Sequence, residues 1–319
     1  MKGFLLHSRN LLKTVGRRLG AAMSLLGVVL LAPLAWASDD SGACNEALFP
    51  NVICSGNPAC SGNPVCSGNP ACSGASNVNR GFYGGFLVGG GVSTNDPIVQ
   101  TGTAFVPTPP PLPVWATGEA ANRAGVMAGI HLGYEWSGRR IGCDPRWAIL
   151  PALEFEGYYL GTQQVGALNN FDSTNRIPEH LFDYRAPLNI GVLMPNFLMT
   201  LHTPFGIHPY VGFGVGTAIV SNAGATSLQL APPEPGINHF NSNPSVTDWA
   251  PAATCRAGLR FDLGNSWYLF TEYKFLAIGA TDYTFGPTVY PTHSPTTAWS
   301  VHYGTMFEHL GVLGLGCRF

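Results

Sequence analysis

Ser300 and His302 stand two residues apart, a spacing that puts a hydroxyl and an imidazole on one face of an extended strand. A nucleophile and its general base need such adjacency, together with an acid that orients the base. His293 and Ser294 lie a short way upstream. Hydroxyls and imidazoles are also ordinary in polar loops, and that plainer reading is favoured for all four.

A second chemistry belongs to thiols. Residues 54–74 repeat Cys-Ser-Gly-Asn-Pro-Ala or its Val form and end on Cys-Ser-Gly, which spaces out Cys54, Cys60, Cys66 and Cys72, with Cys44 upstream. Gly, Asn and Pro in each unit supply turns and no apolar face, so the sequence predicts a flexible, disordered tail. In an oxidising compartment these five thiols and Cys143 are candidates for disulfides, within the tail or to other envelope proteins. Their spacing does not set the pairing. It also suits zinc poorly, because zinc sites usually pair cysteines about two to four residues apart and add histidines. An inert linker is the remaining reading. Cys255 and Cys317 fall on the apolar side of alternating segments and are expected to pack as small hydrophobes. No metal, cofactor or catalytic residue is expected.

The elements that would carry these groups follow from composition. Sixteen basic against 18 acidic residues give no pull toward nucleic acid, while only 11% of residues are charged and the mean hydropathy is +0.13. That surface is too apolar for a well-solvated protein. Lys2, Arg9, Lys13, Arg17 and Arg18 precede an apolar run, Leu19 to Ala35, and Ala35-Trp36-Ala37 offers a small-x-small site. Residues 1–37 therefore read as a secretory signal peptide and 38–79 as the exported tail. Beyond them no apolar run is long enough for a spanning helix, which leaves a closed β-barrel as the only other way across a bilayer.

From residue 80 onward, segments alternate with period two, as strands with unlike faces do. Expected strands are 80–93, 123–136, 146–160, 182–201, 208–220, 252–263, 267–279 and 300–319. In one of them Val126, Ala128, Ile130, Leu132, Tyr134 and Trp136 alternate with Met127, Gly129, His131, Gly133 and Glu135. Long connections (94–122, 161–181, 221–251, 280–299) alternate with short ones, as in outer-membrane barrels with long outer loops and short periplasmic turns. The fold class expected is a transmembrane antiparallel up-and-down β-barrel of eight strands over 80–319, with tail and C-terminus in the periplasm. Phe82, Tyr83, Trp136, Trp147, Tyr159, Trp267, Tyr268 and Trp299 are expected to form interfacial girdles. Pro107, Pro109 to Pro111, Pro232, Pro233 and Pro235 are expected to stiffen loops that need not pack.

With the apolar face in lipid, the opposite face would hold His131, Glu135, Glu154, Glu156, Asp183, Arg185, Arg256, Arg260, Asp262, Glu272, Lys274, Glu308 and Arg318 inside. An eight-stranded lumen is just wide enough for side chains to fill, so these charges are expected to pair across it as scaffold.

Leu313, Leu315, Cys317 and Phe319 alternate up to a terminal aromatic, with Gly314 among them. This resembles the signal read by the barrel-assembly machinery, carried here by Gly314, Cys317 and Phe319, although Val312 is apolar where that signal is often polar. Gly81-Phe82-Tyr83-Gly84-Gly85 resembles the opening strand of small OmpA/OmpX/Opa-like barrels, and the likeness covers residues 80–319. It implies a Gram-negative outer membrane, with its lipid and the assembly machinery as partners; a wall-anchoring role of the full OmpA kind is not implied. The function expected is non-enzymatic, structural or surface-interacting; a narrow porin-like channel and a lipid-modifying enzyme are the alternatives. For the last, Ser300-x-His302 departs from the His-x-Ser order of lipid A deacylases.

Overall fold

A computed structural model describes residues 81–107, 110–119, 123–141, 146–170, 179–264 and 266–319. The expected signal peptide, the cysteine repeat and Cys143 lie outside the described residues. In chain order the strands are β1 (Gly81–Asn95), β2 (Ile98–Ala104), β3 (Leu112–Gly118), β4 (Ala124–Glu135), β5 (Arg139–Arg140), β6 (Ala148–Asn170), β7 (His180–His202), β8 (Ile207–Asn222), β9 (Thr226–Ala231), β10 (Val246–Asp262), β11 (Trp267–Ile278), β12 (Thr281–Phe285), β13 (Trp299–Tyr303) and β14 (Met306–Arg318).

Eight of them close a ring of antiparallel pairs, β1–β4–β6–β7–β8–β10–β11–β14 and back to β1. Each ring strand thus has a partner on both sides, which satisfies its backbone groups internally and leaves no edge. Among the described residues no helix is long and apolar enough to cross a membrane.

The side chains alternate as expected, with the apolar set outward. Phe86 is 72% exposed and Val126 69%, and Ile130, Leu132, Leu153, Phe155, Phe213, Val215 and Leu313 are exposed with them, while Met127, His131, Glu135, Glu154 and Glu156 are buried inside. An apolar surface running right round the ring is unlike that of a soluble monomer and suits hydrocarbon contact. At the short-turn end Phe82, Tyr134 and Trp136 pack edge to face, as do Trp147 and Phe205. Tyr83 and Tyr268, expected in such a girdle, face the lumen instead, and Trp299 is buried beyond the long-loop end. Strand parity decides this, because each sits next to an outward residue.

Three boundaries differ from expectation. β6 and β7 pair over 23 residues each; at about 3.3 Å per residue that hairpin is roughly 75 Å long, far more than a hydrocarbon band of about 25 Å requires. The expected last strand is two, β13 and β14, separated where Asp96 and Thr305 exchange backbone and side-chain hydrogen bonds. The long connections fold: β2–β3 and β12–β13 are hairpins joined through β13–β2, β3 touches β6 at Thr117–Asn169, and β9 adds to β7.

Inside the ring, aromatic rings lie over glycines on the neighbouring strand. Tyr83 pairs with Gly133, Tyr268 with Gly316, Phe270 with Gly314 and Tyr210 with Gly258. A Cβ at Gly316 would stand 2.2 Å from Tyr268 Cζ, and one at Gly314 the same distance from Phe270 Cζ. The glycines give the rings a place to lie flat, as in aromatic rescue of sheet glycines. Gly316→Val should therefore lower stability by about 1–3 kcal/mol, the usual range for overpacking, whereas Gly191→Ala, with nothing within 4 Å of the new methyl, should be nearly neutral. Urea unfolding of the refolded protein, followed by tryptophan fluorescence, distinguishes the two.

Candidate functional site

The lumen is built by the inward residues of the ring strands. Arg256 on β10 donates to Glu154 on β6 and lies 3.4 Å from Glu156 and 3.6 Å from Glu272. Lys274 on β11 donates to Glu156 and stands 3.3 Å from Glu272. Two cations are thus shared by three carboxylates, all of them buried. Tyr210 donates to Glu272 at 2.7 Å and Asn196 to Glu156 at 3.3 Å, which satisfies further acceptor positions.

Toward the short-turn end Arg260 pairs with Glu135 at 3.2 Å and lies over the rings of Tyr83 and Tyr268, 4.9 and 4.8 Å from their centroids. Asp262 accepts from Arg318 at 2.8 Å and stands at the same distance from His208 Nε2. His131 meets the Tyr268 hydroxyl at 3.0 Å rather than a carboxylate. Glu308, toward the other end, accepts from the Ser93 hydroxyl at 2.5 Å and has no base beside it among the described residues. Between Arg256, Arg260, Glu154, His131, Tyr210 and Glu272 remains a cavity of about 10 Å³, room for about one water.

Asp183 and Arg185, expected in this network, lie outside it. The even-numbered residues of β7 face inward, so Asp183 and Arg185 point outward and pair with each other at 3.0 Å, with the arginine side chain 59% exposed. They sit where β7 pairs with β9, on the stretch of the long hairpin near its loop. There the outer medium is water, and polarity no longer marks the inner face.

At the long-loop end the connections form a cap with its own apolar interior. Phe182, Tyr184, Phe240, Tyr283, Phe285, Trp299 and Tyr303 are all buried there. Phe240 stacks on Phe285 at 4.3 Å, Tyr184 and Tyr303 share a hydroxyl hydrogen bond, and Trp299 donates to Thr288 at 3.0 Å. The loop that carries Pro232, Pro233 and Pro235, which proline alone would not require to pack, does pack: residues 232–245 and 286–298 are tied by Asn241–Val289, Ser242–Pro287, Gly286–Asn243 and Thr288–His239 hydrogen bonds.

Ser300 and His302 share the outer face of β13, as their spacing predicts, and His302 Nδ1 is 2.8 Å from Asp282 Oδ1 across the hairpin. The histidine side chain is 48% exposed and the aspartate 82%. Open to solvent, the group lacks the water exclusion that gives oxyanion stabilisation its strength. Cys255 and Cys317 are unbridged and half-buried on the outer face, and Phe319 is exposed at the short-turn end, its amide bonded to Phe82. The structure brings together one set that sequence spacing does not reveal, Glu234, His239 and His293 in the cap. Burial pushes the His239 imidazole below its ordinary pKa, against the opposing effect of its hydrogen bond to the Ser227 carbonyl.

No family model and no curated protein matches the sequence. Solved structures similar to the chain include the outer membrane protein OprG from Pseudomonas aeruginosa, at 12% identity and a TM-score of 0.36, covering 76% of this chain and 97% of that one. Neisserial surface protein A is similar at 11% identity and a TM-score of 0.32, covering 75% and 97%. The outer membrane protease OmpT from Escherichia coli is similar at 5% identity and a TM-score of 0.34, covering 76% and 98%. The closed ring itself is read from the strand pairing.

The lumen network generates a cycle of measurements. Arg256→Met leaves Glu154 without a cation and Glu156 and Glu272 to share Lys274, and should cost about 3–5 kcal/mol. Adding Glu154→Gln should return part of that loss, because it removes one of the uncompensated charges. The urea midpoints of the two single variants and the double variant give the coupling.

Proposed function

We propose that this chain is a non-conducting, non-enzymatic outer-membrane barrel that holds a folded cap outside the cell as a contact surface. The short-turn end and both termini of the barrel would then face the periplasm. The observation that carries the reading is the filled lumen: the Arg256–Lys274 cluster occupies the middle of the ring, the cavity beside Arg256 has room for about one water, and the packed cap stands over one mouth. Such an interior supports a scaffold role over a porin-like one. The outward surface of the cap is sparse in charge, with Phe105, Trp115, Leu230 and Val289 exposed among prolines, which suits protein or sugar contact better than electrostatic steering.

Purified protein in planar bilayers should show no steady open current, with conductance no higher than that of protein-free membranes. Sustained unitary steps would sink the reading in favour of the channel. The cysteine repeat adds a role in envelope cross-linking, supported by its composition and an oxidising compartment. Non-reducing gels of whole envelopes should show higher bands that collapse with reductant. A monomer in both lanes would remove that part of the proposal.

A further inference from the structure

We propose that Glu234, His239 and His293 form a binding site for a divalent transition-metal ion of the zinc type in the cap. The three residues come from two connections separated in sequence, yet one ligand atom from each lies within 4.8 Å of the others. Two imidazoles and one carboxylate are the donor set that suits zinc with one coordination position left open.

Local structure holds each donor in place. Glu234 begins a turn in which Pro235 supplies the fixed φ and Gly236, at φ +82°, the left-handed position, closed by the Ile237 amide on the Glu234 carbonyl at 3.3 Å. His293 ends a second turn, its amide on the Tyr290 carbonyl at 3.3 Å, with Pro291 between them. The two turns are joined by the Asn238 amide on the Tyr290 hydroxyl at 3.1 Å. His239 is buried between Phe182 and Trp299, whose rings meet it edge to face at 5.1 and 5.7 Å.

Two details suit an ion held at this position. The Nδ1 of His239 donates to the Ser227 carbonyl at 2.9 Å, which leaves Nε2 with its lone pair; a ligating histidine commonly holds its other ring N–H on a carbonyl in this way. Glu234 Oε2 and His293 Nδ1 are buried without a hydrogen bond, although His293 Nε2 stands 3.2 Å from that same carboxylate oxygen. Orphaned polar atoms are costly in a packed cap, and coordination would satisfy the carboxylate. The site owes nothing to lumen closure and stands whether or not the barrel conducts.

The test uses the full chain, refolded in detergent with its thiols blocked by iodoacetamide so that the cysteine repeat takes no part. Titration with Co²⁺ should give saturable visible bands of nitrogen and oxygen ligation at one ion per chain, removed by Zn²⁺. Glu234→Gln should weaken binding by at least about tenfold, and His293→Ala should abolish the saturable phase, with heat-modifiable gel mobility reporting the fold. If His293→Ala does not fold, Glu234→Gln at the cap surface carries the test. No saturable binding by the wild type, or binding unchanged in the folded variants, overturns the proposal.

Discussion

Every backbone amide that faces hydrocarbon must find its partner within the protein. From that constraint the rest of the barrel follows. It forbids an edge, so β1 must meet β14 and β6 must meet β7. Closure at eight strands then fixes a lumen just wide enough for side chains to fill. A lumen of that width admits aromatic rings only where the facing residue is glycine, as at Tyr83–Gly133 and Tyr268–Gly316, and admits charges only where they pair. The Arg256–Glu154–Glu156–Lys274–Glu272 cluster is the charged solution to the same problem of filling that the rings solve elsewhere.

Much of this was legible in the sequence because the bilayer imposes a simple code. Where lipid lies outside, outward residues are apolar and inward ones polar or small, so Val126 to Glu135 could be placed by parity alone, and the ring strands other than β6 and β14 fall close to their expected bounds. The code fails where its cause ends. On β7, Asp183 and Arg185 have water outside and Phe182 and Tyr184 inside, so polarity pointed the wrong way. Tyr83 and Tyr268 were misplaced because an aromatic near a strand end suits a girdle and a lumen equally, and only its parity separates the two.

The cap was the least legible part. Its strands are short, its prolines look like linkers, and its core depends on contacts such as Phe240–Phe285 and Tyr184–Tyr303 between distant segments. Glu234, His239 and His293 share that difficulty. The available signal was local: Pro235-Gly236 marks a tight turn beside an acid, and His293 follows a proline by two residues. Nothing in the spacing says that the two turns meet. The β6–β7 hairpin supplies the frame that makes them meet, since it runs unbroken from the ring into the cap.

The glycine–aromatic pairs also change how mutation can act on this lumen. A ring on one strand and the hydrogen on its neighbour occupy a single packing cell, so neither position varies freely while the other stays fixed. Shrinking Tyr268 opens a void that a larger residue at 316 could then fill, and the reverse order of changes passes through a clash. Over evolutionary time such pairs should drift as units, exchanging volume across a strand boundary while the bore keeps its diameter. The strand register is thus recorded in paired substitutions even where neither residue alone is retained.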